Sequence, residues 1–163
     1  MVDLYKKFVT KNVLPLFEET EFAVQKEPNF RVCFPDNTAI GETGKEQSDK
    51  IGLHKDSDYG HPTGEINFIV ALTDIFDSNG LFFETFPKSN KFVPLKMGYG
   101  QFFQFYGNQC RHYNLLNVTK NTRVSLDFRV VPMSVYDEFN LEKSVHSGRK
   151  FVIGDYYVKM IAE

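Results

Sequence analysis

Between Thr122 and Val131 every second side chain is apolar. Val124, Leu126, Phe128 and Val130 share one face, and Arg123, Ser125, Asp127 and Arg129 share the other. A period of two is the mark of a β-strand with one face against a core. The second face is unusual. A sheet interior holds a bare arginine only at high cost, so this polar row needs water, a partner or a ligand in front of it.

Shorter runs repeat the strand signal. Asn29–Phe34, Glu65–Thr73, Leu81–Phe86, Lys91–Met97 and Gln101–Tyr106 read as strands, broken by turn clusters such as Pro35-Asp36-Asn37, Asp77-Ser78-Asn79-Gly80 and Gly98-Tyr99-Gly100. In Glu65–Thr73, Ile66, Phe68, Val70 and Leu72 form one face and Glu65, Asn67, Ile69 and Ala71 the other. At least six short strands in succession indicate an all-β antiparallel sandwich or barrel. A double-stranded β-helix, the cupin-like jelly roll, is the version that buries a small-molecule site between two sheets. Residues 3–19 precede it with a helical pattern in Leu4, Phe8, Val9, Val13, Leu16 and Phe17; Pro15 kinks or splits this flanking helix. The polar stretch 36–50 reads as loop or lid, and its Gly41-x-x-Gly44-Lys45 is too short for a phosphate loop. Lys150–Val158 reads as a strand returning to close an edge. Residues 1–163 form one domain in this reading.

Composition narrows the function. Basic and acidic residues number 19 and 21 and are mixed along the chain, which argues against a nucleic-acid partner. No apolar run approaches the ~20 residues that span a bilayer, so no membrane partner is expected. The N-terminus lacks a signal-peptide core, and two cysteines, Cys33 and Cys110, make no disulfide framework. The expectation is a reduced, cytoplasmic protein.

His54-Lys55-Asp56 puts an imidazole and a carboxylate two residues apart at the end of an extended segment, where both project to one side. His112 is the best third ligand. Two imidazoles and one carboxylate on one face of a metal leave the opposite face open, which is the facial triad of non-haem Fe(II) oxygenases; nitrogen and oxygen donors without thiolate suit Fe(II). His61 in place of His54 is an alternative with poorer spacing. After His112 come ten residues and then Arg123-Val124-Ser125. Guanidinium and hydroxyl on one strand face form a socket for a carboxylate, such as the far end of a 2-oxo dicarboxylate whose other end chelates the metal. The plainer reading of Arg123 is an internal salt bridge, with Asp127 and Arg129 on the same face as partners.

With these residues in hand, the chain resembles the 2-oxoglutarate/Fe(II)-dependent oxygenases, and within them the streptomycin-biosynthesis StrG-like family. The resemblance is carried by LHKDSDYGHPTGEINFIVALT, QFYGNQCRHYNLLNVTKNTRVSLDFRVVP and SGRKFVIGDYYV. It implies a double-stranded β-helix with Fe(II) held by His54, Asp56 and His112, and 2-oxoglutarate held by Arg123 and Ser125. It also implies a dioxygenase that consumes O2, releases succinate and CO2 and hydroxylates a small metabolite, with a sugar or cyclitol derivative suggested by the pathway of the resembled family. Asp56 argues against a halogenase, which omits that carboxylate to admit halide. The competing class is a cupin-like metal-binding protein without oxygenase activity, an isomerase or binding module; it has no need of the Arg123-x-Ser125 socket.

Other residues carry weaker expectations. Asn67 is a candidate contact for the oxo acid or the substrate. Asp58, Tyr59 and His61 are candidates for the substrate mouth. Arg111 is a candidate for an anionic group, Glu84 for the cavity and His146 for the surface.

Overall fold

The computed structural model describes residues 2–38, 51–145 and 147–162. The glycine-lysine stretch at 41–45, most of the 36–50 loop and His146 therefore lie outside the described residues.

Among the described residues, ten strands form two antiparallel sheets. They are β1 (Glu21–Gln25), β2 (Asn29–Cys33), β3 (Ile51–His54), β4 (Ile66–Ala71), β5 (Leu81–Glu84), β6 (Phe92–Pro94), β7 (Phe102–Phe105), β8 (His112–Asn114), β9 (Arg123–Pro132) and β10 (Tyr157–Ile161). One sheet runs β10-β1-β9-β4-β7, with β2 also on β9; the other runs β3-β8-β5-β6. This is a cupin-like double-stranded jelly roll with one N-terminal helical segment.

β9 organises the larger sheet. β1 pairs with its C-terminal end through Val24↔Val130, and β2 pairs with its N-terminal half through Arg31↔Ser125. β4 lines its other edge in the register Phe68↔Phe128. Alternation then divides the sheet. Phe22, Val24, Phe68, Val70, Phe128 and Val130 form a buried outer layer, with Phe68 and Phe128 stacked at 5.5 Å. The N-terminal segment covers that layer. α1 (Val2–Phe8) passes into a π-turn at Val9–Val13 and a 3-10 turn at Leu14–Leu16. Pro15 has no N–H and clashes with the carbonyl four residues back, so the α-helical pattern cannot run on to residue 19. The change of pitch also rotates the contact face: Tyr5, Val9, Val13 and Leu14 are buried, whereas Leu4 and Leu16 are exposed.

The strand expectations at 29–34, 65–73, 81–86, 101–106 and 122–131 match β2, β4, β5, β7 and β9. Two differ. The 91–97 strand shrinks to Phe92–Pro94, beyond which Met97 makes only an isolated bridge to Ile75. The returning strand is β10, displaced to Tyr157–Ile161 because the chain turns at Gly154 (φ +97°), a conformation glycine adopts freely. After Arg111 the chain forms β8, fully buried between β3 and β5.

Between the sheets, Ile69, Ala71, Ile75, Leu81, Leu95 and Met97 form a second apolar cluster at one end of a cavity of about 700 Å³. The polar row of β9 faces that cavity.

Candidate metal centre

His54 and His112 are cross-strand neighbours on β3 and β8. The register slips between Ile51 and His54, and Gly52 sits at φ +70° within the slip. A bulge of this kind re-aims the side chain that follows it, and here it turns His54 toward the cavity. Each imidazole has its Nδ1 on a backbone carbonyl, Gly52 O for His54 and Cys110 O (3.1 Å) for His112. A carbonyl only accepts, so each Nδ1 carries a proton and Nε2 is the nitrogen left to face a metal.

Both Nε2 atoms point at one carboxylate oxygen. Asp56 Oδ1 lies 3.6 Å from His54 Nε2 and 3.4 Å from His112 Nε2. Lys55 is extended, so Asp56 emerges on the same side as His54, at the start of a short 3-10 turn (Asp56–Tyr59). The three ligand atoms lie within 4.8 Å of one another, close enough to hold a metal ion. The donor set, two imidazole nitrogens and one carboxylate oxygen, suits a divalent first-row metal such as Fe(II).

The other oxygen of Asp56 is engaged by the protein. Oδ2 accepts from Asn67 Nδ2 (2.7 Å) and from Arg129 Nε (3.0 Å) and Nη2 (2.9 Å). Burial alone would raise the Asp56 pKa, but the Arg129 charge and the contacts with His112 and His54 hold it well below the usual carboxylate range. Asn67 and Arg129 are opposite each other in the β4–β9 register, so one cross-strand pair supplies all three donors. The Asn67 amide oxygen accepts from Gly107 N (3.1 Å). Asn67 therefore lines the cavity with both ends of its amide already bonded within the protein, and its nearest partner is the Asp56 carboxylate.

Arg123 and Ser125 stand on the same cavity wall, both buried, with Arg123 Nη1 donating to Asn114 Oδ1 (3.2 Å). Asn114 is two residues beyond His112 on β8, a step of ~7 Å along a strand. The suggested internal partners of Arg123 have other contacts. Asp127 accepts from Arg31 Nε (2.8 Å) and Asn29 Nδ2 (2.7 Å), and Arg129 holds Asp56.

His61 lies with Asp56 and Glu65 in a second group of possible ligands. Its Nδ1 is 2.7 Å from Glu65 Oε2, and its ring packs on Phe151 at 4.4 Å. Glu65 is fully buried; it also accepts from the Tyr157 hydroxyl and lies 3.6 Å from Arg129 Nε. Tyr59 lines the cavity with its ring 4.8 Å from His54, whereas Asp58 caps the turn by accepting from Lys55 N (3.1 Å). Glu84 and Arg111 form a closed pair outside the cavity lining. Arg111 Nη2 donates to Glu84 Oε1 (2.6 Å), and the backbone N–H groups of Arg111 and Asn90 donate to the same carboxylate (2.9 and 3.0 Å). The Arg111 hydrogen bond leads in lowering the Glu84 pKa to about 2. Arg129 and Glu65 were the residues that motif reading passed over. The signal was present in the alternation, which put Arg129 in the same row as Arg123 and Ser125, and Glu65 in the same row as Asn67.

Fold and site together define a jelly roll with a His-Asp-His cluster facing an internal cavity. The chain matches no protein-family model. It is 33% identical over 134 residues to the streptomycin biosynthesis protein StrG of Streptomyces griseus, which covers 82% of this chain. The chain spans 58% of the length of that relative. Among solved structures, the nickel complex of the non-haem monooxygenase ThoJ aligns with a TM-score of 0.52 at 16% identity, over 77% of this chain and 51% of ThoJ. The apo form of ThoJ aligns at 0.51 and 14%, over 77% and 52%. At these identities the likeness to ThoJ concerns the fold. No described helix is long and apolar enough to cross a membrane.

Proposed function

We propose that this chain is a non-haem Fe(II)/2-oxoglutarate-dependent dioxygenase of a small metabolite. The observation that carries the reading is the convergence of His54 Nε2, His112 Nε2 and Asp56 Oδ1 on a cavity whose wall also bears Arg123 and Ser125. His54, Asp56 and His112 would hold the iron. Arg123, which donates to Asn114 two residues beyond His112, would take the far carboxylate of 2-oxoglutarate through its guanidinium, with Ser125 adding a hydroxyl hydrogen bond. When bound, the iron and oxo acid supply O2 activation and C–H oxidation, with release of succinate and CO2.

The chain's own part is orientation and exclusion of water. The Nδ1 contacts to Gly52 and Cys110 fix the imidazole tautomers. Asn67 and Arg129 fix the carboxylate. The apolar end formed by Ile69, Ile75, Leu81 and Leu95 keeps water from the buried socket. The likeness to StrG supports a small biosynthetic substrate, and a sugar or cyclitol derivative is the class to try first. The His61–Glu65–Tyr157 chain beside the centre favours, as a second reading, a cupin-like metal protein without oxygenase activity, because a histidine bonded to a buried carboxylate suits proton transfer.

An anaerobic titration of Fe(II) and 2-oxoglutarate, followed by visible absorption, separates the two. The dioxygenase gives a weak charge-transfer band that requires both components and is absent in His112→Ala. Metal binding with no such band transfers the assignment to the second reading, and no metal binding removes both.

A further inference from the structure

The polar groups around Asp56 define two overlapping sets of ligands. His54, Asp56 and His112 form one; Asp56, His61 and Glu65 form the other, and in both sets the ligand atoms lie within 4.8 Å of one another. Asp56 belongs to both, so by ligand type alone the site is laid out for two cations bridged by one carboxylate.

Arg129 interrupts that layout. Its guanidinium donates through Nε and Nη2 to Asp56 Oδ2 and lies 3.6 Å from Glu65 Oε2. It is itself buried, with Asp127 on its far side at 3.7 Å. A fixed positive charge at that distance from both carboxylates opposes a second cation and satisfies the oxygen that would bind it. Asn67 adds a third donor to the same oxygen. Oδ1 alone is left facing the two imidazoles.

We propose that Arg129, with Asn67, is the positioning element that makes Asp56 a one-oxygen ligand and keeps the centre mononuclear. The consequence lies in the open face. A carboxylate that gripped through both oxygens would take a coordination position that a chelating co-substrate and O2 both need, and a bridging carboxylate would commit it to a second ion. This inference rests on the metal-centre reading above but not on the identity of the oxo acid or the substrate.

The test uses Co(II) as the probe, added anaerobically to the apo chain, with stoichiometry from equilibrium dialysis and coordination from the visible band. The wild-type chain is expected to take up one equivalent. Arg129→Gln removes the charge while keeping a polar group of similar reach. It is expected to take up a second equivalent, or to bind one with a shifted and altered band. An unchanged stoichiometry together with an unchanged band overturns the proposal, as does a second equivalent in the wild type. If Arg129→Gln does not fold, Asn67→Ala is measured by the same criteria, with Co(II) affinity expected to fall about tenfold and the band to change. A purely structural role would lower thermal stability without moving the band of the folded fraction. Failure of the underlying reading looks different: the wild-type chain then binds no Co(II) at all.

Discussion

Two buried carboxylates beside arginines, Glu84 with Arg111 and Asp56 with Arg129, differ in a way that separates a structural contact from a poised one. Glu84 and Arg111 form a closed pair on the smaller sheet. Oε1 accepts from the Arg111 side chain and Asn90 N, and Oε2 accepts from Arg111 N. No carboxylate oxygen is left over, and Arg111 is further tied to Asn90 and lies over the Phe92 ring at 5.6 Å. Asp56 and Arg129 make a pair of similar chemistry with the opposite bookkeeping. The Asn67 and Arg129 donors crowd onto Oδ2, and Oδ1 is turned to two imidazole Nε2 atoms. An asymmetrically satisfied carboxylate beside two imidazoles is the arrangement a cation completes.

The comparison breaks most sharply at Asp56 itself. Asp56→Ala is expected to abolish metal binding and to cost about 3 kcal/mol of stability, since Arg129 loses its closest counter-charge in a buried site. Equilibrium dialysis and urea unfolding measure the two effects. Retained stoichiometric binding would remove Asp56 from the ligand set. Glu84→Gln is the matched control and should leave metal uptake unchanged.

Arg123→Ala tests the cavity wall without touching the ligands. Loss of a charge-assisted contact costs about 1.5–3 kcal/mol, so 2-oxoglutarate should bind about 10–100-fold more weakly while Fe(II) uptake persists. Iron loss in that variant would show that the roles are misassigned.

Gly107→Ala reaches the aspartate indirectly. A Cβ at Gly107 would stand 2.8 Å from the Asn67 side-chain amide, so Asn67 must move off Asp56. A loss of about 1–3 kcal/mol in stability is expected, with weaker metal binding as the accompanying sign. Unchanged metal affinity in a folded Gly107→Ala variant would mean that Asn67 does not position Asp56.

The smallest effect is a pH dependence of the closed pair. The Glu84 pKa falls from 4.5 to about 2 on folding. Its contribution is therefore fully present above pH 4.5 and is lost as pH falls toward 2. Urea midpoints measured across that window should decline less steeply in Glu84→Gln than in the wild type, and parallel curves would mean that the pair does not drive acid sensitivity there.

How much of this was legible beforehand follows from the range of each interaction. The jelly roll was legible because strand alternation is local: each residue of β9 reports its own face, and the row Arg123, Ser125, Asp127, Arg129 does line the cavity. The spacing of His54 and Asp56 predicts a shared direction, and the structure gives one. What alternation could not say is which polar group meets which. The sequence offers Asn67 as a contact for co-substrate or substrate; in the structure its amide is bonded to Asp56 and Gly107, a choice made by the β4–β9 register and by the close approach of a loop forty residues away. Glu84, conspicuous among phenylalanines, is expected from sequence to face the cavity, and instead meets Arg111, just before the neighbouring strand β8.

By itself, then, the sequence determined the strand periodicity, the faces and the types of ligand, since these depend on residues two apart along one chain. Only the tertiary structure decided that His54 and His112 stand opposite each other, that a bulge at Gly52 aims one of them, and that Arg129 occupies one oxygen of Asp56 and leaves the other open. Those outcomes depend on register and on burial between distant strands. A displacement of one residue in register would turn each of these side chains to the opposite face of its sheet.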